Sequence, residues 1–157
     1  MRNSAKGLIA GSVALTALAT GLIGQWEGRE LRAYQDIVHV WTICDGETKG
    51  VKPGDVATNK QCDEMLARNL RTYEAGLDKC LTSPVPGRVK VAFLSWAYNV
   101  GVGAACGSTL VRKANAGDIV GACNELPKWN RAGGKVVRGL SNRRAAERDL
   151  CLMGARE

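Results

Sequence analysis

The sequence predicts an α+β fold that is mainly helical, with one small hairpin sheet near the N-terminus. Three observations carry this. Residues 58–80 keep helical apolar spacing over a long stretch, residues 38–43 favour strand, and cap signals recur through the C-terminal half. At 157 residues, with 45% hydrophobic and 24% charged side chains, the chain can bury a core as one folded domain.

The elements follow in chain order. Arg2 and Lys6 precede residues 7–24, GLIAGSVALTALATGLIG, which carry no charge. A basic start followed by an apolar run reads as an export signal, with Ala17-Leu18-Ala19 as a possible cleavage site. The run is just long enough to cross a bilayer, but eleven of its eighteen residues are Gly, Ala, Ser or Thr, which makes a weak anchor. The competing reading is a buried helix of the mature domain. Residues 1–24 are therefore expected to form a signal segment, and residues 25–157 the folded domain.

Glu27 is expected at the end of a short helix that leads into the sheet. Val38, Val40, Trp41, Thr42 and Ile43 favour strand within residues 33–48, bounded by Asp36 and by Asp45-Gly46. Thr58 with Gln61 three residues later forms a capping box. Met65, Leu66, Leu70, Tyr73 and Leu77 then mark a helix of about 22 residues that links two lobes. Pro84 and Pro86 break the chain, and Pro86 suits the first turn of the next helix, marked by Val89, Phe93 and Trp96. A short helix ends at Gly117, Asp118 caps another that runs to about Leu126, and Ser141 caps a last one that stops at Gly154.

Six cysteines, Cys44, Cys62, Cys80, Cys106, Cys123 and Cys151, with no CxxC pair, point to disulfides in an oxidising compartment rather than to zinc. They allow 15 pairings. Cys62 and Cys80 lie at opposite ends of one helix, about 27 Å apart, and cannot pair with each other. Each must reach a different element. The pairing expected is Cys44–Cys62, Cys80–Cys106 and Cys123–Cys151.

The net charge is +7, and eight cations against three carboxylates in residues 128–157 supply +5 of it. Such a face suits an anionic partner, and an acidic wall polymer fits better than nucleic acid, for which no zinc-finger spacing or RNA-binding signature is present.

The densest stretch is GQWEGRELRAYQDIVHVWTICDG, residues 24–46. Glycoside hydrolysis needs one carboxyl that donates a proton and another that stays ionised. Glu27, following Trp26, is the candidate acid, since an indole partly desolvates a carboxyl and favours its neutral form. Asp36, on an exposed hairpin, is the candidate base, and the Thr42 hydroxyl can hold water. A pair nine positions apart is weak evidence by itself, because a cap and a turn residue would give the same spacing.

The wider pattern adds to it. Glu27-Gly28-x-x-Leu31-x-Ala33-Tyr34-x-Asp36 followed by Thr42-Ile43 keeps the order Glu, eight residues, Asp, five residues, Thr. WAYNVG at 96–101 and GLSNRRAAERDL at 139–150 extend the match. This resembles the phage-type lysozymes of glycoside hydrolase family 24 across about residues 22–154. The resemblance implies a lysozyme-like fold and hydrolysis of the β-1,4 bond between N-acetylmuramic acid and N-acetylglucosamine in peptidoglycan, with inversion as the expected outcome and no metal or cofactor. It implies Glu27, Asp36 and Thr42 as the catalytic set and Tyr98, Asn99 and Asn124 as substrate-binding. It also implies that Arg143, or Arg144, pairs with Glu27.

The chain departs from the family pattern where His39 replaces glycine at the hairpin tip and where Cys44-Asp45-Gly46-Glu47 follows Thr42-Ile43. His39 reads as an exposed turn residue and Cys44 as a disulfide partner. Asp45 and Glu47 are expected to add negative charge near the cleft. Residues 7–24 resemble the signal-arrest-release segments of some phage endolysins, which tether the enzyme inactive at the host inner membrane and then leave the bilayer. That implies a monomeric periplasmic enzyme for host lysis. A lytic transglycosylase, a cationic membrane disruptor and a phage tail-tip lysozyme are the alternatives. Asp36 opposes the first and the export segment opposes the last.

Overall fold

The Thr58 side chain accepts the Gln61 N–H while the Gln61 side chain accepts the Thr58 N–H, and this reciprocal cap starts the longest helix. The structure is a computed structural model that describes residues 12–157. The elements in order are α1 (Val13–Glu27), β1 (Glu30–Gln35), β2 (Trp41–Cys44), α2 (Asn59–Cys80), α3 (Gly87–Val100), α4 (Val102–Cys106), α5 (Thr109–Asn115) and α6 (Ile119–Cys123). A 3-10 turn (Leu126–Lys128), a second hairpin of β3 (Arg131–Ala132) and β4 (Lys135–Val136), and α7 (Arg138–Gly154) complete the chain. The fold is mainly helical with a small antiparallel sheet, as expected.

α1 is longer than the short helix expected before the sheet. It starts at Val13, capped by the Ser12 side chain, and runs unbroken past residue 24 to Glu27. Its buried residues Ala19 and Ile23 pack with Leu66 and Leu70 of α2 and Val91 and Leu94 of α3. Thus the described part of the uncharged segment is a packed helix. The basic start of the expected export signal, Arg2 and Lys6, and residues 7–11 lie outside the described residues. Among the described residues no helix is long and apolar enough to cross a membrane.

The helical lobe is built around α3, whose residues Val89 to Ala97 are all buried. Phe93 and Trp96 share a core with Leu77, Leu110 and Leu126, and Trp96 meets Trp129 edge-on at 5.3 Å. α7 lies along α3 at close range: a Cβ at Gly154 would stand 2.8 Å from the Val89 nitrogen. Burying Lys90 between α2 and α3 requires partners. It pairs with Asp78 and lies 3.9 Å from Glu74.

The disulfides are Cys44–Cys62, Cys80–Cys106 and Cys123–Cys151, the pairing expected. The first ties the β1–β2 hairpin to α2, and the second ties the end of α2 to α4. The third ties Cys123 at the end of α6 to Cys151 in the last turn of α7. Cys123 and Cys151 are fully buried and belong to the same core as Phe93 and Trp96. Neither is therefore a solvent-facing thiol, and none of the six cysteines is free.

Three local expectations need correction. Ser141 does not cap the last helix, which begins at Arg138 after Val137; its hydroxyl instead accepts from Asn130 Nδ2. The helix capped by Asp118 stops at Cys123, and the chain then tightens into the 3-10 turn. A second hairpin exists at 131–136, where Gly133 and Gly134 supply two successive positive φ angles, 57° and 78°, as a two-residue turn demands.

Candidate active site

Glu27 is the last residue of α1, and Gly28 follows in the left-handed region at φ 63°. That conformation, easy for glycine, ends the helix and turns the chain into β1. The Glu27 carboxyl is thereby placed where the helical lobe meets the hairpin. Arg143 of α7 donates from Nη1 to Glu27 Oε1 at 2.7 Å. Among the described residues Oε2 takes no hydrogen bond, so one oxygen is held and the other is open.

Arg143 is itself held from behind. Its Nε donates to Glu147 Oε1 at 3.1 Å and its Nη2 to the Ser95 carbonyl at 2.9 Å. Ser95 Oγ donates to Glu147 Oε1 at 2.7 Å, and Arg144 Nε lies 2.8 Å from Glu147 Oε2. Arg144 and Glu147 are fully buried. Burial pushes the Glu147 carboxyl above its ordinary range, while Arg144, Ser95 and Arg143 pull it back. Burial likewise lowers the Arg144 guanidinium, opposed by Glu147. An arginine keeps its proton in proteins, so both guanidiniums favour the charged Glu147 carboxylate against that burial.

Asp36 stands in the β1–β2 turn. Its Oδ1 accepts the N–H groups of Val38 and Val40, both at 2.9 Å. These bonds close the turn and hold His39 at φ 63°, a left-handed position that glycine would take without strain. His39 is exposed, as its reading as a turn residue expected. Among the described residues Asp36 Oδ2 has no partner. Thr42 lies on β2 opposite Tyr34, is buried, and donates its hydroxyl to the Val40 carbonyl at 3.0 Å. Its oxygen lone pairs stay available to accept. Asp36 and Thr42 therefore share one hairpin, which Cys44–Cys62 clamps to α2.

The remaining expected residues differ in placement. Tyr98 is half-buried, stacks near Tyr73 at 4.8 Å, and donates its hydroxyl to the Asp45 carbonyl at 2.7 Å. Burial raises its phenol well above the usual range, helped by the nearby charge of Glu27. Tyr98 thus joins the helical lobe to the loop after β2 as well as lying near Glu27. Asn99 is exposed at the end of α3. Asn124 is exposed after α6, where its Oδ1 accepts from Arg148 Nε at 2.8 Å. Trp26 is half-buried, and no hydrogen bond joins its indole to Glu27 among the described residues; its Nε1 is enclosed without an acceptor.

The negative charge expected from Asp45 is largely matched. Asp45 is buried and Arg29 Nη2 pairs with it at 2.7 Å, so the guanidinium rises above its usual range. Glu47 accepts the backbone N–H groups of Thr48 and Lys49, and Asn69 Nδ2 at 2.9 Å. Ser95 and the Arg29–Asp45 pair were not singled out from the sequence, and Glu147 was matched only as the last residue of the family's Gly-Leu-x-x-Arg-Arg-x-x-Glu stretch, with no role given. Glu147 had a signal: it sits four residues after Arg143, on the same helix face.

Among the described residues no cluster of three or more His, Cys, Asp or Glu has the arrangement of a metal site. A groove between α1 and α2 is lined by Thr16, Ala17, Lys60, Glu64 and Arg71, and none of Glu27, Asp36 or Thr42 lines it.

Residues 24–147 match the family model described as phage lysozyme. The SAR-endolysin of Bacteriophage PS119 is 40% identical over 98% of this chain and 95% of its own length. Among solved structures, the active form of the P1 phage endolysin Lyz is 30% identical, covers 94% of this chain and 91% of its own, and superposes with a TM-score of 0.79. The secreted inactive form of the same endolysin covers 68% of this chain and 76% of its own, with a TM-score of 0.51.

Proposed function

The chain belongs to the phage lysozyme family, and from that premise we propose that it is an endolysin in which Glu27, Asp36 and Thr42 cut the β-1,4 bond between N-acetylmuramic acid and N-acetylglucosamine. It is a glycoside hydrolase with a peptidoglycan-lytic role in host lysis. The observation that carries the site assignment is the contact of Arg143 with only one oxygen of Glu27, which aims the carboxyl and leaves the second oxygen open.

In this reading Glu27 gives its proton to the glycosidic oxygen as the bond to the anomeric carbon breaks. Asp36, with Oδ2 unengaged, takes a proton from a water that attacks the opposite face. The lone pairs of Thr42 accept a hydrogen bond from that water and fix its position. The product is a free reducing end with inverted configuration. Tyr98, Asn99 and Asn124 line the approach of the glycan, and Trp26 supports α1 behind the acid.

Residues 1–24 serve as the signal-arrest-release segment, and residues 25–157 carry the chemistry. The segment holds the monomeric enzyme at the periplasmic side of the host inner membrane, then leaves it. The packed α1, together with the greater likeness to the active than to the inactive form of the P1 endolysin, supports reading this structure as the released state. The composition of residues 7–24, rich in small residues, supports reversible membrane entry. Replacing those small residues with leucine tests this: the variant should stay in the membrane after depolarisation, and release of active enzyme would sink the idea. The site assignment is tested by reducing-sugar release from purified peptidoglycan by Glu27→Gln.

A further inference from the structure

Two guanidiniums and two carboxylates form a nearly closed set where α1, α3 and α7 meet. Arg143 and Arg144 are 3% and 0% exposed, and Glu147 is 0% exposed. Glu147 cannot touch a glycan, yet it contacts both arginines and accepts from Ser95. Glu27 is the member that reaches the surface, and it feels both arginines: Arg143 directly, and Arg144 through its field.

The acid needs a proton when substrate arrives. Buried positive charge opposes that, because it favours the ionised carboxylate. With Glu147 ionised, the two guanidiniums and Glu147 sum to one positive charge behind Glu27. With Glu147 neutral, they sum to two. We infer that Glu147 is a positioning residue for the hydrolysis: its buried carboxylate takes up one guanidinium, so that Arg143 orients Glu27 with one net positive charge behind it instead of two. This inference rests on the reading of Glu27 as the acid. The other groups facing the set are Ser95 and Tyr98 on α3, both neutral. Asp45 and Glu47 lie beyond Tyr98, and Asp45 is matched by Arg29.

The test is a pH series of reducing-end release from peptidoglycan by the full-length protein, with thermal melts to verify folding. Glu147→Gln removes the buried negative charge and should move the alkaline limb of the rate profile to lower pH by about one unit. Arg144→Gln removes a positive charge and should move the same limb to higher pH. The double variant restores the sum, and its limb should return to the wild-type position. Limbs that stay in place in every variant, with only the height of the profile changed, would show that Glu147 is structural and overturn the inference. If Glu147→Gln does not fold, the direction of the Arg144→Gln shift decides alone. Glu27→Gln is run beside them: if it remains active, the acid assignment has failed, whereas an inactive Glu27→Gln with unmoved limbs means only this inference has failed.

Discussion

Arg143 Nη1 lies 2.7 Å from Glu27 Oε1, although 116 residues separate the two in the chain. The contact joins the last helix to the end of the first described one. It can form only when α1 is docked, so the same packing that buries Ile23 also places the proposed acid.

Arg143 makes its bonds to Glu27, Glu147 and the Ser95 carbonyl from three different nitrogens. A lysine has one nitrogen and cannot span them. Arg143→Lys should lower kcat about a hundredfold with little change in KM, because a misplaced catalytic group costs on that scale. Steady-state kinetics on soluble glycan fragments checks the split.

Ile23 is fully buried against α2 and α3, whereas Val13 on the same helix is 89% exposed. Ile23→Ala should cost about 3 kcal/mol of stability, the usual range for a large-to-small core change. Val13→Ala should stay within about 0.5 kcal/mol. Urea denaturation measures both, and activity should fall with Ile23→Ala alone, since α1 ends on Glu27.

Cys44–Cys62 closes a separation of 18 residues and clamps the hairpin that bears Asp36 and Thr42. Replacing both cysteines with alanine should cost about 3 kcal/mol on the chain-entropy estimate. The hairpin should loosen first. Hydrogen exchange should show faster exchange in residues 30–44 than in α3, with activity lost at a lower denaturant concentration than the helical signal.

Glu125 is buried beside Lys113, at 2.6 Å, and Lys128, at 3.0 Å, and these bonds hold its carboxyl below the usual range. Its pKa in the fold is therefore lower than in the unfolded chain, where it is about 4.3. The stabilisation is present above the unfolded value and is lost as pH falls through the folded one. Melting temperatures of wild type and Glu125→Gln should differ most near neutral pH and converge in acid.

Much of this was legible because it is local. Thr58 and Gln61 announce a helix start within four residues. Once that helix is granted, Cys62 and Cys80 are too far apart to pair. Glu27, Asp36 and Thr42 stand at fixed spacing because one turn and one hairpin connect them. What was not legible depends on partners distant in sequence. Residues 13–24 have a composition that suits a bilayer or a protein core equally, and only Leu66, Leu70, Val91 and Leu94 show the core. Arg143 and Arg144 are neighbours about 100° apart on a helix. Which of them faces Glu27 depends on how α7 is rotated against its neighbours. That rotation is fixed in part by the close approach of Gly154 to α3 and by the bond from Cys151 to Cys123. Ser141 looked like a cap because its competing partner, Asn130, lies across a hairpin. The Gly133-Gly134 turn was readable, but its strands are only two residues each.

The most direct measurement compares oxidised full-length wild type with Glu27→Gln on purified peptidoglycan, counting reducing ends released. The account predicts steady release by the wild type and a loss of at least about a hundredfold in the variant, the scale of a general acid. Equal activity in the two proteins, or clearing of the wall with no reducing ends from either, would contradict it.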